Sequence, residues 1–266
     1  MNSGGWNNIK ELKTEHVKGK IVISGDVVEV YKYTKGYKKG FAKCSLESSG
    51  GRKSDYKSES YTENREKVLN RAKRDLRRLI NANNNAYGSE FTTKFLTLTF
   101  KKNVVDLDYA HGEFKKFILR LNYAVFKVKR SVLMYTCVVE FQKRGAIHYH
   151  LVLYNMPWFD VNEIAKIWGH GFVKINKCEE VDNLGAYVTK YMSKDNGDKR
   201  LEGRKCYFNS RGLIKPTEIT EEKQVETIAE ALPVQNLAYA SEFDNEYLGN
   251  ISYKQYNLKR LISKGP

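Results

Sequence analysis

Two runs of β-forming residues, Leu133 to Phe141 and Ala146 to Tyr154, flank a short turn with glycine at its end. This segment constrains the fold more than any other. A three-residue loop of Lys143, Arg144 and Gly145 is a type I turn closed by a left-handed residue, a position that suits glycine. That loop fixes the register: Gln142 pairs with Ala146, and Glu140 lies directly opposite His148. Residues two apart on a strand share a face, so His148 and His150 point the same way and Tyr149 points the other. Directly opposed residues also share a face. Glu140, His148 and His150 are therefore expected to converge. Two imidazoles and a carboxylate suit Mn²⁺, and also Mg²⁺ when phosphate and water oxygens complete its shell.

The segments around the hairpin extend this plan. Phe95 to Phe100 alternates and is rich in β formers. Asp106 is placed to cap a helix running through Leu107, Ala110, Phe114, Phe117, Ile118 and Leu121. Asn162 to Trp168 reads as a short helix before a Gly-His-Gly stop, Phe172 to Ile175 as a strand, and Asn183 to Ser193 as a helix. The order from residue 91 is strand, helix, strand, strand, helix, strand, helix. The expected class is α+β, with a central, mainly antiparallel sheet and helices packed on it. Upstream, residues 20–44 read as strands around a Gly25-Asp26 turn. Residues 45–60 read as a mobile loop rich in Ser, Gly and Lys, and residues 62–80 as a helix. Downstream, residues 218–231 suit a helix, and Glu246 to Leu258 one or two strands. The expected organisation is a basic extension over 1–90, a core over 91–200 and a C-terminal extension over 201–266 packed on that core.

Charge narrows the class of partner. The chain of 266 residues carries 46 Lys+Arg against 31 Asp+Glu, a formal net charge of +15. The excess sits in the first three quarters, since residues 201–266 hold nine basic and nine acidic side chains. A polyanion is the expected partner, and nucleic acid fits best. On the 62–80 helix, Lys67, Arg71, Arg74 and Arg78 form a stripe away from the apolar face, suited to phosphates. Lys32, Lys35, Lys38, Lys39 and Lys43 alternate with Tyr31, Tyr33, Tyr37 and Phe41. Lysines with stacking rings suit single-stranded nucleic acid, and they equally suit a solvated edge hairpin whose charges deter aggregation. No apolar run approaches a membrane span, and Met1 to Glu15 has no apolar signal-peptide core. The four cysteines lie far apart with no C-x-x-C pair, so reduced thiols in the cytoplasm are expected.

The segment Asn183 to Asp195 adds a second set of reactive groups. At helical spacing, Tyr187, Lys190, Tyr191 and Lys194 fall on one face, and Leu184, Val188 and Met192 form the adjacent apolar stripe. A phenol is a poor nucleophile at neutral pH. Neighbouring ammonium groups favour the phenolate, and a divalent cation makes an attacked phosphorus more electrophilic.

Three segments in order resemble the HUH endonuclease superfamily, and within it the rolling-circle replication initiators of small plasmids and single-stranded DNA phages. Lys94-Phe95-Leu96-Thr97-Leu98-Thr99-Phe100 resembles the first motif. His148-Tyr149-His150 is similar to the His-hydrophobic-His motif, with Tyr as the bulky member. Tyr187 to Asp195 resembles the Tyr-x-x-Lys-Tyr-x-x-Lys motif. The resemblance covers roughly residues 91–200. It implies a metal-dependent enzyme that nicks one strand of single-stranded or hairpin origin DNA. A tyrosine attacks the phosphorus, stays bound to the 5′ end and leaves a 3′-OH to prime replication; the reverse reaction rejoins the strand. Tyr191 best fits the first nucleophile and Tyr187 a terminating role, with Lys190 and Lys194 stabilising charge. No Gly-x-x-x-x-Gly-Lys motif is present, so a host helicase and polymerase are implied. Mobilisation relaxases and single-strand transposases use the same fold and nucleophile. A non-catalytic nucleic-acid-binding protein would use the same basic surface.

Overall fold

The structure is a computed structural model that describes residues 15–40, 59–178, 181–193, 204 and 206–260. The expected loop over 45–60 falls almost wholly outside these residues, as do Phe41, Lys43 and Lys194. Two compact bodies divide the chain. The first takes its described residues from Met1–Val22, Val28–Tyr56 and Glu218–Pro266, the second from Ile23–Val27 and Lys57–Thr217. This differs from the expected partition into 1–90, 91–200 and 201–266. Strand pairing and helix packing are non-local here, so segments far apart in sequence share one body.

The first body is built on a five-stranded sheet, in the order β8 (Thr217–Ile219), β1 (Glu15–Ser24), β2 (Val27–Lys39), β10 (Gly249–Asn257) and β9 (Leu237–Asn245). The expected helix after residue 218 is α5 (Glu222–Ala231). Its Val225 is buried and would lie 3.4 Å from a Cβ built on Gly19 of β1.

The second body is an α/β/α sandwich around the sheet β6-β3-β5-β4-β7, antiparallel throughout. Its strands are β3 (Lys94–Thr99), β4 (Tyr135–Phe141), β5 (Ile147–Leu153), β6 (Val173–Lys177) and β7 (Tyr207–Asn209). Strand alternation sorts its side chains into two cores. Leu96, Leu98, Cys137, Val139, Tyr149, Leu151 and Val173 meet α2 (Leu107–Phe126) and α3 (Val161–Trp168) on one face. Phe95, Val138, Val152 and Tyr154 meet α1 (Glu59–Asn83) and α4 (Leu184–Ser193) on the other. The α2 start is the expected one: the Asp106 carboxylate accepts from the backbone N–H groups of Asp108 and Tyr109 at 2.8 and 3.2 Å. Asp160 caps α3 in the same way, and Gly169 ends it in the left-handed region at φ 69°.

Candidate metal centre and tyrosine helix

The β4–β5 hairpin has the register that its turn dictates. Glu140 is paired with His148 and Val138 with His150. Gln142 N–H donates to the Ala146 carbonyl at 2.8 Å, Gly145 N–H donates to the Gln142 carbonyl at 2.7 Å, and Gly145 takes φ 88°. Glu140, His148 and His150 consequently bring one ligand atom each to within 4.8 Å of one another. Glu140 Oε2 lies 2.5 Å from His150 Nε2. The other ring nitrogen of His150, Nδ1, is 3.3 Å from Thr97 Oγ1, which orients the ring from the neighbouring strand. Such an outer partner fixes which nitrogen faces a metal.

The donor set fits a divalent cation on the state of His148. Its Nε2 is buried, and no described residue offers it a hydrogen bond. An unsatisfied buried polar atom costs on the order of 1–3 kcal/mol, and a cation would satisfy it. Burial pushes the His148 pKa down to about 4; nearby His150 and Arg144 act in the same direction and Glu140 opposes them. At neutral pH the ring is uncharged and its lone pair is free, the form that ligates metals.

The tyrosine helix packs on the same face. Leu184, Val188 and Met192 are buried, as the apolar stripe predicts. The Tyr191 ring stacks on the His150 ring with centroids 4.0 Å apart and planes 24° apart. The Tyr187 and Tyr191 hydroxyls lie 3.2 Å apart, within hydrogen-bonding distance. Phe95 braces the group, with ring centroids 5.7 Å from His150, 5.7 Å from Tyr191 and 5.5 Å from Tyr187. The Tyr191 pKa is raised well above that of a free phenol, first by burial, then by the hydrogen bond and charge of Tyr187, then by Glu140. Lys190 is exposed on the same helix.

Contacts that the residue patterns did not reveal hold α4 in place. A Cβ built on Gly185 would sit 2.2 Å from the Arg77 carbonyl oxygen, so α1 and α4 approach backbone to backbone there. Asn183 caps α4, its side-chain oxygen accepting from Ala186 N–H at 2.9 Å and from Asn81 Nδ2 at 3.0 Å. Asn81 Oδ1 accepts from Gly185 N–H at 2.8 Å. An Asn just before a helical pattern is a readable capping signal; the partner helix is not readable locally.

The basic candidates lie elsewhere on the two bodies. On α1, Lys67, Arg71 and Arg74 are exposed and Arg78 is half-buried. Arg71 and Arg74 place Nε 3.8 and 3.6 Å from Asp75, solvent-exposed pairings of small energetic weight. On β2, Lys32, Lys35, Lys38 and Lys39 are exposed. Lys39 Nζ donates to Thr220 Oγ1 at 2.8 Å. Tyr33, however, is buried and Tyr31 is tilted against Tyr253 at 4.9 Å. Alternation turns Tyr33 into the body rather than leaving it on a stacking face.

Residues 93–196, about two fifths of the chain, match the model of a family of replication-associated proteins, the ORF2 and gene II protein family. The matched stretch takes in β3, the hairpin with its ligand triad, and α4. No curated protein and no solved structure matches the chain. Among the described residues, no helix is long and apolar enough to cross a membrane.

Proposed function

We propose that this protein is a rolling-circle replication initiator of the HUH type, a metal-dependent endonuclease and strand transferase acting on single-stranded or hairpin origin DNA in the cytoplasm. The observation that carries the proposal is the stacking of Tyr191 on His150 at 4.0 Å, which brings a phenol to a triad built for a divalent ion. Glu140, His148 and His150 would hold Mn²⁺ or Mg²⁺. When bound, the ion would withdraw charge from a non-bridging oxygen of the scissile phosphate.

The remaining work falls to the chain's own groups. The Tyr191 hydroxyl loses its proton and its oxygen attacks phosphorus. A Tyr–O–P bond forms as the P–O3′ bond breaks, and the departing 3′ oxygen takes up a proton. The products are a 5′-phosphotyrosine and a free 3′-OH. Tyr187, hydrogen-bonded to Tyr191, is placed to receive that proton and to attack in a second round. Lys190 and Lys194 are assigned to balance the charge on phenolate and phosphate. The α1 stripe and the β2 lysines are assigned to the phosphates of flanking DNA, with host helicase and polymerase extending the 3′ end.

The test is incubation with single strands from the DNA flanking the gene, in Mn²⁺, followed by denaturing electrophoresis and peptide mapping. A covalent adduct on Tyr191 that is absent with chelator, with Tyr191→Phe and with His148→Ala is the expected result. An adduct that survives His148→Ala in metal-free buffer would falsify the metal role.

A further inference from the structure

The face that carries the triad does not end at β5. In the sheet order, β3 and then β6 lie beyond it. Thr99 pairs with His148 and Thr97 with His150. Across β3, Thr97 pairs in turn with Lys174, and the ladder runs on one residue past β6, where Thr99 N–H donates to the Phe172 carbonyl at 2.9 Å. Val173 packs into the core shared with α2 and α3, and Ile175 packs against it. Alternation therefore puts Phe172 and Lys174 on the opposite face, in two rows with His148 and His150.

Both side chains are free to meet a ligand. Phe172 is 65% exposed, a large ring for open water. Lys174 is exposed, and among the described residues it has no ion-pair partner. Thr97 and Thr99, between them and the histidines, are only half-buried. Residues 169–178 contain Lys174 and Lys177 and no acidic residue. The supporting loop is firmly anchored. Lys101 N–H donates to the His170 carbonyl at 2.8 Å, and Trp168 Nε1 donates to the Thr99 carbonyl at 3.1 Å. At Gly171 a Cβ would lie within 2.4 Å of Lys101 N and Thr99 O, so only glycine lets this loop close onto the end of β3.

We propose that Phe172 and Lys174 form a subsite for the single strand beside the scissile phosphate, the ring stacking on a base and the ammonium holding a phosphate. The proposal rests on the nicking function and assigns part of its substrate track. Two strand spacings separate Phe172 from His148, about 10 Å, and Phe172 and Lys174 are about 7 Å apart along their strand. That is the reach of a nucleotide or two of extended DNA leaving the triad. An exposed ring with a neighbouring cation is the pairing that binds single strands with little regard to sequence.

The test reads binding apart from cleavage. Fluorescence anisotropy of a labelled oligothymidylate, with chelator present, is measured against salt for the wild type, Phe172→Leu and Lys174→Gln. Far-UV circular dichroism and Mn²⁺ binding, both expected to match wild type, show that the variants are folded. Phe172→Leu should weaken binding about tenfold. Lys174→Gln should reduce the slope of log affinity on log salt by about 0.7. Absence of wild-type binding, or wild-type affinity in Phe172→Leu together with an unchanged slope in Lys174→Gln, overturns the subsite. Failure of the nicking function has a different signature: no Mn²⁺-dependent adduct in the wild type, with the oligothymidylate effects intact.

Discussion

Replacing His148 should flatten the acid dependence of stability in the metal-free protein. Burial holds its folded pKa at about 4, against about 6.5 in an unfolded chain. The folded group stays neutral where the unfolded one takes up a proton. Stability present above about pH 6.5 is therefore lost as the pH falls toward about 4, and the loss levels off once the folded ring protonates too. A shift of this size reaches about 2 kcal/mol by pH 5. The ring keeps part of its contact with solvent, and screening trims the figure to about 1 kcal/mol. Urea unfolding of chelator-treated wild type and His148→Gln, at pH 7 and pH 5, isolates this contribution, because the other titrating groups are common to both proteins. The wild type should lose about 1 kcal/mol more than the variant over that interval. Equal losses, or a folded-state imidazole midpoint near 6.5 by NMR, would refute the reasoning.

Tyr187→Phe should still form the first adduct, and it should lower the Tyr191 phenol pKa, because the Tyr187 hydrogen bond and charge help to raise it; an ultraviolet difference titration with an unchanged or higher midpoint contradicts this. Gly185→Ala should destabilise the fold by about 2 kcal/mol in urea despite the better helix propensity of alanine, since the added carbon would meet a backbone oxygen rather than a flexible side chain. An unchanged or raised midpoint means that α1 and α4 do not approach so closely. Arg71→Gln with Arg74→Gln should weaken binding to all single strands alike and lower the salt slope by about 1.4, and an unchanged slope removes the stripe from the DNA path.

What the sequence made legible was what local geometry controls. The hairpin register follows from one turn with glycine at its third position, so Glu140 and His148 were opposed on paper and are opposed in the sheet. The α4 stripe followed from helical periodicity and is buried as expected. Tyr33 shows the limit of reading composition along a strand. The Lys–Tyr alternation on β2 suggested rings and charges together on one surface, but alternation separates them, and Tyr33 is buried. Phe95 and Thr97 were noted only as strand formers. Their contacts with His150 span 55 and 53 residues, a distance over which no local pattern carries information. The same holds for β1 and β2, whose sheet partners near the end of the chain are set by the fold alone.

The placement of the nucleophile depends on a contact remote from the chemistry. Tyr187 and Tyr191 are one turn apart on α4, so rotating or sliding that helix exchanges which phenol faces the triad. Three interactions prevent it at the N-terminal end: the Asn183 cap, the Asn81 side chain on Gly185 N–H, and the meeting of Gly185 with the Arg77 backbone. At the other end Tyr191 is held between His150 and Phe95. Helix α1, which reads in the sequence as a carrier of positive charge, therefore also sets the axial position of α4. A change at Gly185 should act on which tyrosine forms the adduct as well as on stability, because it moves both phenols together while leaving the β4–β5 hairpin and its ligands in place.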